Sequence, residues 1–183
     1  MTNAPEHSEQ HRTAFISAMR GVGTSVTVVT TNGKAGRHGA TVSAFCSVSA
    51  DPPTILVCLN GSSGIADAVA ENDRFNVNIL RADQEAIARR FAGHDDGHVT
   101  DRFAGHDDGH VTDRFDNIDC GASDIPEITG SMILCCEAQS LVPSTSHTIV
   151  IARVHTVKHP HLAPLAYLNG DFHQLVRTKA NSE

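Results

Sequence analysis

Short β-branched segments separated by tight turns are the feature of this sequence that most limits its fold. Three follow one another closely: SVTVVTT at Ser25 to Thr31, GATVSAFCSVS at Gly39 to Ser49, and TILVCL at Thr54 to Leu59. The turn-forming sequences NGKAG and DPP lie between them. Connections this short join antiparallel strands, because a parallel pair needs a crossover of about a dozen residues or more. The segments therefore predict an antiparallel sheet.

Three short helices are predicted around these strands. The first covers about Glu9 to Arg20, and its apolar residues recur at helical spacing. They are Phe15, Ala18, Met19 and Val22. Ser63 is placed to cap a second helix over GIADAVAEN, and Asp83 to cap a third over QEAIARRF, which Gly93 would end.

More strands are predicted later in the chain. In RFNVNIL, Phe75, Val77 and Ile79 alternate with Asn76 and Asn78, as in a strand buried on one face. The segments SMILCCEAQ, HTIVIARVHTV and LAYL follow, and FHQL would close the sheet. Many short antiparallel strands with three small helices predict a mainly β fold, a closed or partly open β-barrel decorated by helices.

Composition narrows the functional classes. The 183 residues suit a single domain, with residues 1–12 as a flexible N-terminus. The net charge is −7 and the longest basic cluster is the pair Arg89 and Arg90, which disfavours nucleic-acid and anionic-membrane surfaces. The stretch MTNAPEHSEQHR lacks the apolar run of a signal peptide, and no later apolar run is long enough to span a membrane, so a cytoplasmic protein is expected. The five cysteines lack CxxC spacing, which favours reduced thiols.

A perfect tandem repeat occupies residues 90–113. The block RFAGHDDGHVTD occurs twice and is followed by a further RF. Within each copy two histidines stand four apart, His94 and His98 in the first and His106 and His110 in the second. That spacing would suit zinc or nickel on a helix, but the Asp-Asp-Gly turns break a helix there. A solvated loop is therefore favoured over a metal site.

Several separated motifs resemble those of the short-chain flavin reductases. They are the run from SVTVVTT to LNGSSG, then FNVNIL, RFAG with DRF, and SHTIVIARV, and the likeness extends from Phe15 to Leu175. These proteins are the reductase components of two-component aromatic monooxygenases, particularly the 4-hydroxyphenylacetate and chlorophenol types. The family has one copy of RFAG-x8-RF, so the resemblance identifies the second copy as an insertion in a loop near the active site.

The resemblance implies a split β-barrel, a homodimer, and the use of NADH to reduce a flavin. The reduced flavin would then diffuse to a separate oxygenase. FAD is the favoured flavin and FMN the alternative. No P-loop and no strand-turn-helix glycine fingerprint is present, so a nucleotide would have to be held by the barrel. A non-catalytic flavin carrier with the same barrel remains the alternative function.

The resemblance also implies three flavin-binding segments. The segment TVSAFCS would lie along the isoalloxazine, where small side chains let backbone groups approach, although it could be an ordinary strand. LNGSSG would bind phosphate at a helix N-terminus, although Ser63 could simply be a cap. The FAG element would lie against the flavin, although Phe91 could equally anchor its helix. The residues are Thr41, Val42, Ser43, Ala44, Phe45, Cys46, Ser47, Leu59, Asn60, Ser62, Ser63, Phe91, Ala92 and Gly93.

For the nicotinamide, the family's Gly-Asp-His element corresponds to Thr145, Ser146 and His147. Only the histidine is retained, and it is the candidate catalytic residue, able to bond the carboxamide. The missing glycine and aspartate put in doubt any contact that needs a special backbone angle or a carboxylate. Arg37 and His38 are candidates for the nucleotide phosphates, and Phe172 and His173 for the dinucleotide side. All four could also be incidental surface residues.

Overall fold

The structure is a computed structural model that describes residues 4–93, 114–159, 161 and 163–176. Side chains are described from Glu9 onward. This part of the chain is mostly strand. The helices are α1 (Ala4–Arg20), α2 (Ile65–Asn72) and α3 (Glu85–Phe91). The strands are β1 (Thr24–Ser25), β2 (Thr27–Thr31), β3 (His38–Val42), β4 (Phe45–Ala50), β5 (Pro53–Asn60), β6 (Arg74–Ile79), β7 (Met132–Ser144), β8 (His147–Lys158), β9 (Leu165–Leu168) and β10 (Asp171–Gln174).

The larger sheet closes on itself. Its seven strands lie in the order β3-β2-β6-β7-β8-β5-β4, with antiparallel pairing throughout. The two edge strands, β3 and β4, are consecutive in the chain and only Ser43 and Ala44 separate them. A two-residue link can span only about 10 Å, so the end of β3 must lie close to the start of β4. The sheet is therefore a barrel with an open seam between β3 and β4.

One predicted strand is interrupted at the seam. Gly39 to Ser49 was expected to be a single strand, but it forms both edges of the barrel with a break at Ser43 and Ala44. Period-two patterning continues across the break, so the sequence does not reveal it. The backbone remains connected to the sheet there, since the Cys58 amide donates to the Ala44 carbonyl at 2.9 Å.

A second sheet of three strands packs against the barrel, in the order β1-β9-β10. The predicted strand Ser25 to Thr31 divides between the two sheets at Val26, whose amide donates to Leu165 O and whose carbonyl accepts from Leu80 N. FHQL was expected to close the main sheet, and this is wrong because β10 pairs only with β9. One apolar core fills the barrel, and a second lies between the barrel, α3 and the small sheet.

Strand β6 differs from its predicted one-sided burial. Asn76 and Asn78 are buried, as are Phe75 and Val77 on the opposite face. The segment 124–129 crosses the outer face of the barrel there and binds the asparagines. Asn76 Nδ2 donates to Ile125 O at 3.2 Å, and Asn78 Oδ1 accepts from the Ile128 amide at 2.9 Å. Buried amides are tolerated at these positions because their hydrogen bonds are supplied by the crossing backbone.

The helices begin differently from the predictions. Helix α1 starts at Ala4, so most of the expected flexible terminus is helical, and its predicted apolar face is exposed at Phe15, Met19 and Val22. Helix α2 begins after Gly64, with Ser63 in a preceding 3₁₀ turn, and no side chain caps it. Asp83 pairs with Arg81 instead of capping α3. Gly93 ends α3 as predicted, with φ of 78° and its amide bonded to Arg90 O.

Among the described residues, no helix is both long enough and apolar enough to cross a bilayer.

Candidate active site

The segment from Thr41 to Ser47 forms the seam of the barrel. Strands β3 and β4 each have a pairing partner on one side only among the described strands. Edge strands present backbone N–H and C=O groups on their unpaired side. The segment thus offers a row of backbone donors and acceptors flanked mostly by small side chains, with Phe45 packed against the barrel core. This arrangement suits the polar edge of a flat heteroaromatic ring.

Several side chains of the predicted flavin segments point into the protein. Val42 and Leu59 belong to the barrel core. The Thr41 hydroxyl donates to the Ala88 carbonyl at 2.7 Å and so fastens β3 to α3. The Val42 carbonyl accepts from the Thr27 hydroxyl, also at 2.7 Å. These residues can contact a ligand only through remaining backbone groups, whereas Cys46 and Ser47 on β4 are exposed.

Two turns that the sequence analysis assigned to different cofactors are neighbours. Asn60 and His147 are paired at the ends of β5 and β8. The Gly61 amide donates to Ser146 O at 3.0 Å, joining the turns directly. Asn60 shapes its own turn, with Oδ1 accepting from the Ser62 amide at 3.0 Å and its carbonyl accepting from the Ser63 hydroxyl at 2.7 Å. The phosphate candidates and the nicotinamide candidate therefore lie at one end of the barrel.

The turn before His147 has a backbone conformation that glycine adopts easily. Thr145 has a φ of +50°, in the left-handed region that glycine occupies at little cost. For a β-branched residue this conformation is strained. The Thr145 hydroxyl donates to Ser144 O at 2.8 Å. The chain therefore enters His147 through a strained threonine.

Ser146, at the position that the resemblance assigns to the family's aspartate, contacts His147. Its hydroxyl lies 2.9 Å from His147 Nδ1. A hydroxyl can donate to or accept from that nitrogen, so it orients the ring without adding a charge. Nε2 remains the nitrogen that faces away from this contact and is available for a ligand.

Phe91 is an anchor of the second core. Its ring is buried and meets Phe115 edge to face, with centroids 4.9 Å apart. Arg37 lies over Phe115, its Cζ 4.7 Å from the ring centroid. His38 Nε2 lies 3.1 Å from Ala35 O, within its own turn. The amides of Ala92 and Gly93 donate to the last carbonyls of α3. The FAG element is therefore the end of the helix that Thr41 of the seam contacts.

Phe172 and His173 lie on the small sheet. Phe172 stacks edge to face on Tyr167, with centroids 5.2 Å apart, and Arg89 of α3 lies over its ring at 5.0 Å. His173 Nε2 lies 3.2 Å from Leu168 O, across the β9–β10 turn. The aromatic pair is thus attached to the helix that supports the seam.

The thiols near the seam are free and unpaired with each other. Cys46 is exposed, and Cys58 is partly buried. Burial raises the pKa of the Cys58 thiol above its ordinary value, and the neighbouring Cys46 raises it further. Cys58 is therefore a protonated, poorly nucleophilic thiol near neutral pH.

No group of three or more metal-ligating side chains occurs in the described part of the chain. The histidine pairs of the repeat, at residues 94, 98, 106 and 110, lie outside the described residues. The metal hypothesis for the repeat therefore stays a prediction.

A family model described as the flavin reductase like domain matches residues 19–176. The chain belongs to the flavin reductase like family. The FMN reductase (NADH) RutF of Klebsiella pneumoniae is 33% identical over 168 residues, which is 91% of this chain and 95% of that protein. The 4-hydroxyphenylacetate 3-monooxygenase reductase component of Pseudomonas aeruginosa is 42% identical over 85 residues, 46% of this chain and 50% of that protein. The resemblance stated from the sequence is confirmed.

Solved flavin reductases share the fold. The flavin reductase PheA2 superposes with a TM-score of 0.74 and 27% identity, covering 90% of this chain and 98% of the other. The Streptomyces globisporus NADH:FAD oxidoreductase SgcE6 gives 0.77 and 26% identity, covering 95% and 93%. These matches confirm the mainly β flavin reductase fold, and the protein is a flavin reductase by family.

Three residues of this flavin reductase that pack behind the site were not predicted from the sequence. They are Gly39, Arg89 and Phe115. Phe115 had a visible signal, because the DRF after the repeat copies the RF that ends α3. Gly39 and Arg89 contact aromatic rings that are distant in the chain or on another element, and no local pattern predicts those contacts.

Proposed function

We propose that the protein uses NADH to reduce a freely exchanging flavin and releases the reduced flavin to a separate oxygenase of aromatic compounds. The observation that carries the proposal is the meeting of three elements at one end of the barrel: the open seam, the Asn60–Ser63 turn and the Thr145–His147 turn. Their proximity would place a flavin and a nicotinamide side by side. The relatives named FMN reductase (NADH) and the monooxygenase reductase component support the same role.

Each element has a distinct task in this scheme. Backbone groups between Thr41 and Ser47 would hold the polar edge of the isoalloxazine. The uncapped N-terminus of α2 follows the Asn60–Ser63 turn and leaves amides that attract phosphate. His147, held through Nδ1 by Ser146, would bond the carboxamide of the nicotinamide through Nε2. The two cofactors supply hydride transfer from nicotinamide C4 to flavin N5, so the chain needs no nucleophile or paired carboxylates.

The flavin preference is proposed to be FAD, with FMN as the competing substrate. The solved SgcE6 is named an NADH:FAD oxidoreductase, whereas the RutF relatives are named FMN reductases. Modest affinity is expected for either flavin, because a tightly held product would limit release.

The test follows NADH absorbance anaerobically with purified protein and FAD, FMN or riboflavin in turn. Flavin-dependent oxidation of NADH supports the reductase, and the order of the three flavins shows which part of the nucleotide is recognised. Binding of flavin without faster NADH oxidation would leave a carrier as the function. Repeating the assay with NADPH decides between the two nicotinamides.

A second experiment tests the role of His147. His147→Ala should raise the apparent KM for NADH more than that for flavin, because only the nicotinamide contact is removed. His155→Ala is a matched control, since His155 is an exposed histidine on the same strand that pairs with Glu137. Equal effects on both KM values, or on neither, would make His147 structural.

A homodimer in the cytoplasm is part of the proposal. The apolar face of α1 is exposed, with Phe15 62% and Met19 46% accessible, and the uncharged edge strand β4 is also exposed. Such surfaces are common at subunit interfaces. Sedimentation of Phe15→Glu with Met19→Glu should show a shift from dimer to monomer, whereas Ser17→Glu on another face of α1 should not. A monomeric wild-type protein would refute the dimer.

A further inference from the structure

We propose that Arg89 is a positioning residue that clamps the β9–β10 hairpin to α3 and thereby holds Phe172 in the orientation used for the dinucleotide. The inference rests on the proposed function and extends it, because Arg89 belongs to none of the segments assigned to a cofactor. It is argued from four side chains in successive contact, which lead from α3 to the β9–β10 hairpin.

The contacts run in series from Glu85 to Tyr167. Arg89 Nε and Nη2 donate to Glu85 Oε1 at 2.8 Å and 2.6 Å, one helical turn apart on α3. The guanidinium Cζ lies 5.0 Å from the centroid of Phe172, within the range of a cation–π contact. Phe172 in turn meets Tyr167 edge to face at 5.2 Å. Among the described residues no backbone hydrogen bond joins α3 to the hairpin. These side-chain contacts therefore join the two, together with the second core that Ala88 and Leu165 share.

The pairing with Glu85 orients Arg89. Its two hydrogen bonds to Glu85 Oε1 fix the plane of the guanidinium, which stays charged and suits a side chain that covers a ring. Arg89 is therefore assigned to holding Phe172.

The clamp has a mechanical consequence. Helix α3 also carries Ala88, which accepts from Thr41 of the seam, and Phe91, which packs in the second core. The seam and the hairpin are thus fastened to one helix from two sides. Loss of the Arg89 contact removes one of the contacts that hold Phe172, which still packs against Tyr167 and the second core, while the Thr41 contact still holds the seam. The dinucleotide side should therefore loosen and the flavin side should not.

Tyr167 gives a direct readout of the hairpin. It is the single tyrosine of the chain, and there is no tryptophan, so tyrosine emission reports this position alone. The variant Arg89→Gln should show stronger quenching of that emission by acrylamide than wild type. Arg89→Lys keeps a cation beside Glu85 and the ring and should restore protection. Arg153→Gln, which alters an exposed arginine on β8, should leave quenching unchanged.

Steady-state kinetics on the same variants test the positioning role. Arg89→Gln should raise KM for NADH about two- to fivefold, the range expected for one partly exposed cation–π contact. KM for flavin should stay at the wild-type value, and Arg89→Lys should recover most of the loss. Should wild type fail to oxidise NADH with any flavin, the proposed function falls, and equilibrium dialysis of NADH against the same variants replaces KM.

The outcomes separate clearly. Unchanged tyrosine quenching in Arg89→Gln overturns the clamp. Stronger quenching with unchanged KM or affinity for NADH overturns the positioning role. Equal losses for NADH and flavin would mean that Arg89 supports the whole fold, and this also overturns the proposal. Stronger quenching with a selective loss for NADH, rescued by lysine, supports it.

Discussion

At Gly39 the packing behind the site leaves no room for a β-carbon. An atom added there would lie 2.6 Å from Phe91 Cε1 and 2.9 Å from Phe115 Cζ, well inside contact distance. The two rings can therefore pack on β3 only because Gly39 has no side chain. Glycine is normally unfavourable in a strand, and here close approach of side chains explains it.

Gly39→Ala should lower the free energy of unfolding by about 1–3 kcal/mol, because the buried rings must move to admit the methyl group. Urea denaturation measures the loss. Gly23→Ala is the matched control, since nothing lies within 4 Å of its added carbon. A Gly39→Ala protein as stable as wild type would show that Phe91 and Phe115 can repack.

Thr145 carries strain at the entrance to His147. Thr145→Asn should raise the free energy of unfolding by about 1 kcal/mol, because asparagine tolerates the left-handed region far better than a β-branched residue. Thr156→Asn provides the contrast, since threonine suits its position on β8 and its replacement should be destabilising. The two variants are compared by thermal and urea unfolding. A loss of stability in Thr145→Asn would mean that the threonine hydroxyl contact outweighs the strain.

At the scale of elements, β6 and the crossing segment 124–129 depend on each other. The Asn78 amide donates to Val28 O and to the Thr30 hydroxyl, each at 3.0 Å, and its oxygen accepts from the Ile128 amide. The Thr30 hydroxyl donates to Pro126 O at 2.6 Å. Ile128 itself is buried in the second core. This polar network therefore fixes the segment that closes that core.

Asn78→Ala should cost about 1–3 kcal/mol of stability, because the buried Ile128 amide and Thr30 hydroxyl would lose a partner that water cannot replace. The control is Asn32→Ala at the exposed end of the same crossing, where Asn32 donates to Asp124 O. Water can satisfy that carbonyl, so its loss should stay below about 1 kcal/mol. Similar losses in both variants would contradict a buried network.

At the scale of the whole molecule, the described residues that flank positions 94–113 are in contact with each other. Arg114 Nη1 donates to Phe91 O at 3.3 Å, and the Phe91 and Phe115 rings are in contact. Because residues 90–115 repeat with a period of twelve, removal of any twelve consecutive residues among them produces the same sequence. The choice of which copy is original thus has no consequence for the shortened protein.

The twelve-residue deletion, made as Ala104 to Phe115, should leave the fold and flavin reduction intact. It shortens the connection between two contacting ends, and loop-closure entropy then favours the shorter chain by less than about 1 kcal/mol. Calorimetry and the anaerobic NADH assay measure the result. Metal analysis of both proteins tests whether the histidine pairs bind a metal, since loss of stoichiometric metal on deletion would support the metal site. A large fall in melting temperature would contradict a dispensable insertion.

Local sequence patterns correctly predicted the fold class and one helix end. Alternating β-branched residues and short turns predicted an antiparallel, mainly β fold, and Gly93 marked the end of α3 correctly. Ser63 and Asp83 were wrong as caps because each binds a nearer partner, the Asn60 carbonyl and Arg81 respectively. Capping competes with other local hydrogen bonds whose outcome spacing does not reveal.

The features that the sequence did not predict depend on contacts between residues far apart in the chain. The break at Ser43 and Ala44, the sheet change at Val26 and the burial of Asn76 and Asn78 follow from closure of the barrel and from the segment that crosses it. The same closure brings Asn60 beside His147, although 86 intervening residues separate them in the chain. A sequence expresses the preferences of neighbours along the backbone, whereas these contacts form between residues that only the folded chain brings together.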